Sequence, residues 1–253
     1  MSVDVSGNAT RRPSAANPGR PDWLTGPLAQ RLAALITASG ATREAASAPY
    51  TLTQTVELPR STGADVPAAF TRARAAQRDW AQWSPGERSA VVLRFHDLLL
   101  DRQDQVLDLI QWENGKSRKD AFLEVADIAL TARYYGRRAP GLLKRQRRRG
   151  AFPILTRTAE LRHPKGVVGV ISPWNYPLSL AAGDVIAALL AGNAVVHKPD
   201  SQTALTALWA VALMIEAGLP ADLWPVVVGS GTELGEPLLA GADYLMFTGS
   251  TET

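Results

Sequence analysis

The chain has 253 residues, of which 46% are hydrophobic and 20% are charged, and its formal net charge is +3. A chain of this length can bury a substantial core and hold one large domain or two small ones. The composition is typical of a globular protein, and the small net charge does not indicate a polyanionic partner. Because there is no cysteine, disulfides, zinc-thiolate sites and a cysteine nucleophile are excluded from this chain.

No apolar run of the sequence reaches transmembrane length. Asp184 interrupts the run 178–196, and the apolar part of 203–215 is too short. The first residues also lack the apolar core of a secretory signal. We therefore expect a cytoplasmic protein without a membrane partner.

The N-terminal half is predicted to be a polar tail followed mainly by helices. Residues 1–20 are rich in Ser, Ala, Asn, Gly, Pro and Arg, so we expect a disordered tail there and a folded domain over 21–253. Alternation of apolar with polar residues predicts a strand over 50–58. Apolar residues at helical spacing predict helices over 27–38, 65–83, 88–112 and 119–135.

A run rich in arginine and lysine follows over 137–149. Such a run can bind nucleic acid, but this one has no aromatic residue for base stacking and stands between a predicted helix and a predicted strand. We therefore predict a solvated connector and no nucleic-acid partner. The strand predicted next, over 152–161, alternates in polarity and should be half exposed.

From residue 166 onwards, short apolar runs alternate with helical segments. Val- and Ile-rich runs without polar alternation are typical of strands buried on both faces of a parallel sheet. They predict four strands, over 167–171, 194–196, 223–228 and 244–247. The helices predicted between them cover 178–191, 203–217 and 232–239. The sequence therefore predicts an α/β fold with a doubly wound parallel sheet, and a ligand site at the carboxyl ends of its strands.

Three motifs lie at the ends of these strands. They are Pro173-Trp174-Asn175-Tyr176-Pro177, then Gly192-Asn193 with Lys198-Pro199, then Phe247-Thr248-Gly249-Ser250-Thr251-Glu252. In order and approximate spacing they resemble the NAD(P)-dependent aldehyde dehydrogenases, from about residue 50 to the last residue. The part 166–253 resembles most the bacterial succinate-semialdehyde dehydrogenase branch. Members of the superfamily are about twice as long, and the chain stops before their general-base Glu and nucleophilic Cys.

The resemblance implies that 21–253 is the Rossmann-like cofactor-binding domain of this fold, incomplete at its C-terminus, and that the catalytic domain is missing. It further implies that a strand within 151–163 leaves the domain to build a homo-oligomer in the complete enzyme. The complete enzyme would oxidise an aldehyde, with succinate semialdehyde as the expected substrate, to the carboxylate while NADP or NAD is reduced.

Asn175 is the residue predicted to take part in catalysis. By itself an asparagine here could fill a turn position, but the whole segment 173–177 matches the family segment that carries the oxyanion asparagine. In aldehyde oxidation the oxygen of a tetrahedral thiohemiacetal gains negative charge, and a fixed amide donor stabilises it. Two prolines bracket Asn175 and should hold its loop rigidly at the end of a strand.

Lys198, Asp200 and Ser201 are predicted to bind the adenosine ribose. The resemblance implies that Lys198, whose ammonium should project from the strand end, hydrogen-bonds the ribose. NAD-selective relatives often carry Glu at the position of Ser201, which grips the ribose hydroxyls and repels a 2′-phosphate. A serine can instead donate to a phosphate, which favours NADP or use of both cofactors, although the neighbouring Asp200 restores some repulsion.

Glycines and small residues complete the predicted cofactor site. The segment 229–235 contains a G-x-G pattern without the standard Rossmann spacing, and the resemblance implies that Gly231 lets the adenine approach the backbone. Gly249 and Ser250 follow a predicted strand and open a predicted helix, whose backbone N–H groups would face a phosphate. Pro173 and Trp174 are also assigned to the cofactor site.

Other titratable residues receive structural interpretations. Glu113 and Glu124 belong to a Glu-x-Gly-Lys pattern followed by an acidic residue, which is also found in the family, and we expect solvated charges at helix ends. The histidines His96, His163 and His197 stand far apart in sequence, so we expect structural roles and no metal site.

Two other function classes stay open on the sequence. The chain could be a non-catalytic nucleotide-binding module, or a basic module that binds nucleic acid through 137–149. A dehydrogenase of the direct-hydride type is a third alternative, but no His and no Tyr-Lys pair stands at a strand end to support it.

Overall fold

The computed structural model describes residues 19–152 and 155–250. Its N-terminal part is mainly helical, with two very short strands, β1 (Arg43–Glu44) and β2 (Leu58–Pro59), paired antiparallel. The helices there are α1 (Gly26–Ala33), α2 (Asp65–Trp80), α3 (Pro85–Asp101), α4 (Gln103–Asn114) and α5 (Arg118–Leu142). No helix of the described part is both long and apolar enough to cross a bilayer.

The helix predicted over 88–112 is in fact two helices. The backbone leaves helical geometry at Arg102 (φ −114°, ψ 20°), so α3 ends and α4 begins on either side of it. The guanidinium of Arg102 forms two hydrogen bonds with the carboxylate of Glu216, at 2.5 and 2.6 Å. The apolar spacing continues across the break because both helices pack on the same core, so periodicity alone did not reveal it.

The strand predicted over 50–58 is wrong except for Leu58. The segment begins in a turn, the Ala48 N–H donates to the Thr53 carbonyl over 2.9 Å, and Gln54 forms only an isolated bridge with Ser47. The alternating apolar positions do not share one buried face, since Leu58 is buried whereas Leu52 is 81% exposed and has a positive φ of 54°. Alternation predicts a strand only where one face is buried.

The segment after α5 also differs from its prediction. The predicted solvated connector contains β3 (Gln146–Arg148), which pairs antiparallel with β4 (Thr158–Glu160), the regular part of the strand predicted over 152–161. Arg148 forms an ion pair with Glu160 across the two strands. Residues 153–154 lie outside the described residues, and the extension of this segment towards an oligomer stays a prediction.

A parallel sheet forms the centre of the C-terminal part, as predicted. β5 (Val167–Ser172) lies between β6 (Ala194–Pro199) and β7 (Tyr244–Phe247), and both pairings are parallel. Every residue of β6 is buried, which agrees with the unbroken apolar runs of the sequence.

The fourth predicted strand, over 223–228, is not regular, although it does extend the sheet. The His197 N–H donates to the Pro225 carbonyl and the Val227 N–H to the His197 carbonyl, both at 2.9 Å. Beyond these bonds only an isolated bridge joins Val226 to β6. Pro225 has no N–H to donate, which shortens the ladder.

Helices cover the sheet in the doubly wound manner. α6 (Ser179–Leu190) and α7 (Ala204–Glu216) connect β5, β6 and the segment 225–228 in one direction, and α8 (Gly231–Gly241) returns the chain to β7 on the other side of β5. Because such crossovers are right-handed, this reversal places α8 on the opposite face from α6, where it packs with α2. The reversal also makes the carboxyl edge beside β5 a topological switch point.

Candidate functional site

The carboxyl ends of the strands bring the predicted site segments to one edge of the sheet. The Asp200 N–H, just after β6, donates to the Ser172 carbonyl at the end of β5 over 2.9 Å. The Thr248 N–H, just after β7, donates to the Ile171 carbonyl over 3.1 Å. The segments that carry Asn175, Asp200 and Gly249 therefore start from neighbouring points of this edge, as the sequence predicted.

Residues 173–177, called the Asn175 loop below, connect β5 to α6. Pro177 is buried and Pro173 is half buried, whereas Trp174 and Tyr176 are 53% and 51% exposed. The Oδ1 of the exposed Asn175 accepts a hydrogen bond from the Tyr176 N–H, 3.1 Å away. This contact turns the NH₂ end of the amide away from the backbone, and within the described residues Nδ2 has no acceptor. The amide N–H groups of this exposed side chain are thus free of partners in the described part of the chain.

Three polar side chains hold this loop and the start of α6: Asn114 ends α4, Lys116 lies in the turn between α4 and α5, and Glu124 belongs to α5. Asn114 Nδ2 donates to the Trp174 carbonyl at 2.7 Å, and Lys116 Nζ donates to the Asn175 carbonyl at 2.6 Å. Lys116 Nζ also pairs with Glu124 Oε1 at 2.6 Å. We call Asn114, Lys116 and Glu124 the clamp. The sequence showed the Glu-x-Gly-Lys pattern around it but gave no sign of which loop these residues contact.

The prediction that Glu113 and Glu124 are solvated is wrong. Glu124 is fully buried, and its Oε2 accepts from the N–H groups of Leu178 and Ser179, at 2.9 and 3.2 Å, at the start of α6. Glu113 is 2% exposed. Helix N-termini have unpaired N–H groups that attract carboxylates, and here these carboxylates come from distant elements.

Glu113 satisfies the start of α7 in the same manner. Its carboxylate accepts from the Leu205 N–H at 2.9 Å and from the N–H and hydroxyl of Thr206, both at 2.7 Å. Burial raises the pKa of Glu113 to about 7, although these hydrogen bonds lower it in part. All these partners belong to the protein, so the geometry assigns Glu113 to structure.

Lys198 lies at the end of β6 and is buried, and its predicted contact with the ribose stays a prediction. Its Nζ has the Pro199 carbonyl, 3.5 Å away, as a hydrogen-bond partner. Burial lowers the pKa of Lys198, and the nearby carboxylate of Asp200 opposes that shift. A buried ammonium whose hydrogen bond is this long is costly, so the site fits a ligand that supplies hydroxyl acceptors.

Asp200 and Ser201 line a cavity of about 270 Å³ beside β1 and β2. The Asp200 carboxylate accepts from the Gln202 N–H at 2.9 Å and so begins the 3-10 turn Ser201–Thr203. Arg60 lines the same cavity, forms an ion pair with Glu44 and has a second one with Glu233 at 3.0 Å. No motif marked Arg60 in the sequence.

The glycines of the predicted site differ in what they do. A side chain at Gly231, where α8 begins, would meet open space. A Cβ at Gly249 would lie 2.6 Å from the end of the Phe247 ring, so a larger residue there would require this 43% exposed side chain to move. Ser250 is exposed, but the helix predicted to start there continues into 251–253, outside the described residues. The predicted phosphate contacts of Gly249 and Ser250 therefore stay predictions.

His197 has both ring nitrogens occupied inside the core. The Trp224 Nε1–H donates to Nδ1 at 3.3 Å, so the proton is on Nε2, which donates to the Ser172 hydroxyl at 2.8 Å. Burial and the charge of Lys198 lower the pKa of His197 to about 3. His197 is thus neutral and structural. Across 19–152 and 155–250, no three His, Asp or Glu side chains are grouped so that they could hold a metal ion.

Comparison with known proteins identifies related sequences and folds. Residues 36–253 match the sequence profile of the aldehyde dehydrogenase family. A protein of Mycolicibacterium smegmatis, provisionally named succinate-semialdehyde dehydrogenase (NADP+), is 50% identical over 204 residues, which are 81% of this chain and 40% of that protein.

Solved structures agree with the sequence match. An NAD-dependent benzaldehyde dehydrogenase of Corynebacterium glutamicum has a TM-score of 0.79 and 33% identity, covering 86% of this chain and 48% of its own. A betaine aldehyde dehydrogenase variant of Staphylococcus aureus, solved with NAD+, has a TM-score of 0.78 and 25% identity, covering 83% and 43%. The chain therefore spans less than half the length of these relatives.

Proposed function

The chain belongs to the aldehyde dehydrogenase family, and from this we propose that it is the cofactor-binding part of an enzyme that oxidises an aldehyde to a carboxylate. The observation that carries the proposal is the Asn175 loop, which presents an outward-facing amide donor at the carboxyl edge of the sheet. The 50% identical relative is named for succinate semialdehyde and NADP+, so we propose that aldehyde as the substrate.

We assign the cofactor to the same edge. Lys198 would donate to the ribose hydroxyls. Its buried ammonium has only a long hydrogen bond of 3.5 Å, to the Pro199 carbonyl, in the described part of the chain, so the hydroxyls would supply closer acceptors. Asp200 and Ser201 would flank that ribose, Gly231 would leave room for the adenine, and Gly249 and Ser250 would face the pyrophosphate. Pro173 and Trp174 would line the nicotinamide side. The bound nicotinamide supplies the hydride acceptor.

The cofactor is proposed to be NADP+ or NAD+, with NADP+ accepted at least as well. Ser201 is small and neutral, and it shares its cavity with Arg60. A hydroxyl and a guanidinium are good partners for a 2′-phosphate. The carboxylates of Asp200 and Glu44 on the same cavity oppose this charge, so the preference is expected to be moderate.

Asn175 has one chemical task in this proposal. When a thiolate adds to the aldehyde carbon, the carbonyl oxygen becomes an oxyanion, and the amide N–H of Asn175 stabilises it. The thiolate must come from a segment outside this chain, because the chain has no cysteine. We further propose a cytoplasmic homo-oligomer for the whole protein. The alternative is a non-catalytic nucleotide-binding module, and a nucleic-acid partner is less favoured.

The proposal is tested with the complete enzyme, by which we mean this chain joined to a catalytic segment, either from its own gene or from the Mycolicibacterium smegmatis relative. We expect NADPH formation that depends on succinate semialdehyde and follows the aldehyde concentration. The same assay without aldehyde is the control. Cofactor binding without turnover of any aldehyde would favour the non-catalytic module instead.

A further inference from the structure

The clamp, formed by Asn114, Lys116 and Glu124, contacts the Asn175 loop on both sides of Asn175. Among the described residues predicted to bind the cofactor, it contacts only Trp174, through the backbone carbonyl. We propose that Lys116 is a positioning residue for the oxyanion donor, and that Asn114 and Glu124 support it. This inference rests on the proposed function, because an oxyanion donor needs positioning only if the protein processes an aldehyde.

The ammonium of Lys116 is fully engaged at the loop. It donates to the Asn175 carbonyl at 2.6 Å, pairs with Glu124 Oε1 at 2.6 Å, and lies 4.1 Å from the centre of the Tyr176 ring. The side chain of Lys116 is only 12% exposed and that of Glu124 is fully buried. Hydrogen bonds from a charged donor are shorter and stronger than neutral ones, so this contact restrains the backbone at Asn175 itself.

The other end of the loop is fixed by the same pair. α6 has no side-chain cap at its own N-terminus, where Leu178 stands. Glu124 Oε2 replaces that cap by accepting from the Leu178 and Ser179 N–H groups. One carboxylate therefore holds the start of α6 with one oxygen and Lys116 with the other. The Asn175 loop is thereby tied to α5 at both ends.

Gly115 places the two donors of the clamp. It ends α4 in the left-handed conformation, with φ 77°, which favours glycine. This turn allows Asn114 and Lys116, on either side of it, to reach the consecutive carbonyls of Trp174 and Asn175.

Within this chain, packing alone holds little of the loop. Trp174, Asn175 and Tyr176 are exposed in the part of the chain that the structure describes, so few apolar contacts from this chain restrict the backbone between the two prolines. An oxyanion donor lowers the barrier only when it is oriented before the charge develops. A displacement of about 1 Å can lower the rate by about two orders of magnitude. The clamp supplies the rigidity that the exposed side chains do not.

The test uses the complete enzyme and the double variant Lys116→Met/Glu124→Gln. Removing both charges leaves no unpaired buried ion, and the side-chain amide oxygen introduced at position 124 can still accept from the start of α6. We expect kcat for aldehyde oxidation to fall about tenfold or more, while KM for NADP+ and the melting temperature stay close to those of the wild type. The single variant Lys116→Arg keeps a cation that can donate to the Asn175 carbonyl, so its kcat should stay much closer to that of the wild type than the kcat of the double variant does.

Lys119→Met is the matched control, because Lys119 is an exposed lysine three residues after Lys116, in the first turn of α5, and its kcat should not change. If the double variant does not fold, Asn114→Ala decides the question, since it removes only the bond to the Trp174 carbonyl and should also lower kcat. If the double variant folds and its kcat is unchanged, the inference is overturned. If the double variant does not fold, an unchanged kcat in Asn114→Ala overturns it. A wild-type enzyme that binds NADP+ but oxidises no aldehyde would overturn the proposed function, and this inference with it.

Discussion

Ser201 and Lys198 differ in how much of their surroundings could be predicted from the sequence. Ser201 was predicted from its position after β6, and the structure adds that Arg60 lines the same cavity. The ammonium of Lys198 was expected to project from the strand end, and the structure adds that this residue is buried. The sequence could not show this, because the depth of a side chain at a strand end depends on the loops that cover it.

At Ser201 we predict that the complete enzyme uses NADP+ at least as efficiently as NAD+. Ser201→Glu should reverse the preference, because a carboxylate there would bind the ribose hydroxyls and repel the 2′-phosphate. The measurement is kcat/KM with each cofactor for both proteins. Gln82→Glu, which puts a new charge at an exposed glutamine that does not line this cavity, is the control. A wild type that strongly prefers NAD+ would contradict the argument and would make Asp200 the discriminating charge.

At the scale of elements, two buried carboxylates start the two helices on one side of the sheet. α6 and α7 both lack side-chain caps of their own. Glu124 caps the first and Glu113 caps the second, from elements more than 50 positions earlier in the chain. Such long-range caps are invisible to local rules, which look for the cap within the same segment.

For Glu113 we predict a contribution to stability that depends on pH. Its pKa is raised to about 7 in the folded state from an unfolded value near 4.5. Between these values the folded state binds the extra proton, so stability falls as the pH rises from about 4.5 to about 7 and is constant above. The total effect is on the order of 3 kcal/mol.

Thermal unfolding of the complete enzyme and its Glu113→Gln variant, from pH 5 to pH 8, measures this effect. Glutamine cannot titrate, so the wild type should gain stability relative to the variant as the pH falls through this window. Glu236→Gln, at an exposed glutamate of α8, should show no such trend. A difference between wild type and Glu113→Gln that does not change with pH would refute the prediction.

The elements that the sequence predicted correctly are those whose pattern reflects their burial. β5, β6 and the helices α6 and α7 have mainly apolar sequences and lie mostly in the core, whereas β7, which was also predicted, is only partly buried at the edge of the sheet. The strands predicted over 50–58 and 223–228 were wrong in their extent. Their apolar residues follow a strand pattern, but apart from Leu58 in β2 these segments form only isolated bridges with their neighbours in the described part of the chain. In the candidate site, the motif residues were predicted, whereas Arg60 and the clamp were not. Those residues reach the site only through the folding of distant segments, about 60 positions away for the clamp.

At the scale of the whole molecule, the chain holds the predicted oxyanion donor and the predicted cofactor contacts but no cysteine. It spans 40% of its relative from Mycolicibacterium smegmatis. The sheet, the helices around it and the carboxyl edge are nevertheless formed from residues of this chain alone.

We predict that the 253-residue chain by itself shows no aldehyde-dependent formation of NADPH or NADH. No thiolate is available to form the covalent intermediate from which hydride leaves. The assay uses the purified chain, with its mass confirmed, and the complete enzyme as the positive control. Turnover above background by the chain alone would require a mechanism without a cysteine nucleophile.

The central claim is that Asn175 stabilises the oxyanion of aldehyde oxidation, and steady-state kinetics of Asn175→Ala in the complete enzyme test it most directly. We predict that kcat falls by about two orders of magnitude or more, because one oriented donor is lost, while the affinity for the cofactor hardly changes. The cofactor affinity is measured separately by equilibrium binding. A kcat equal to that of the wild type, in a folded variant that binds NADP+ normally, would contradict the account.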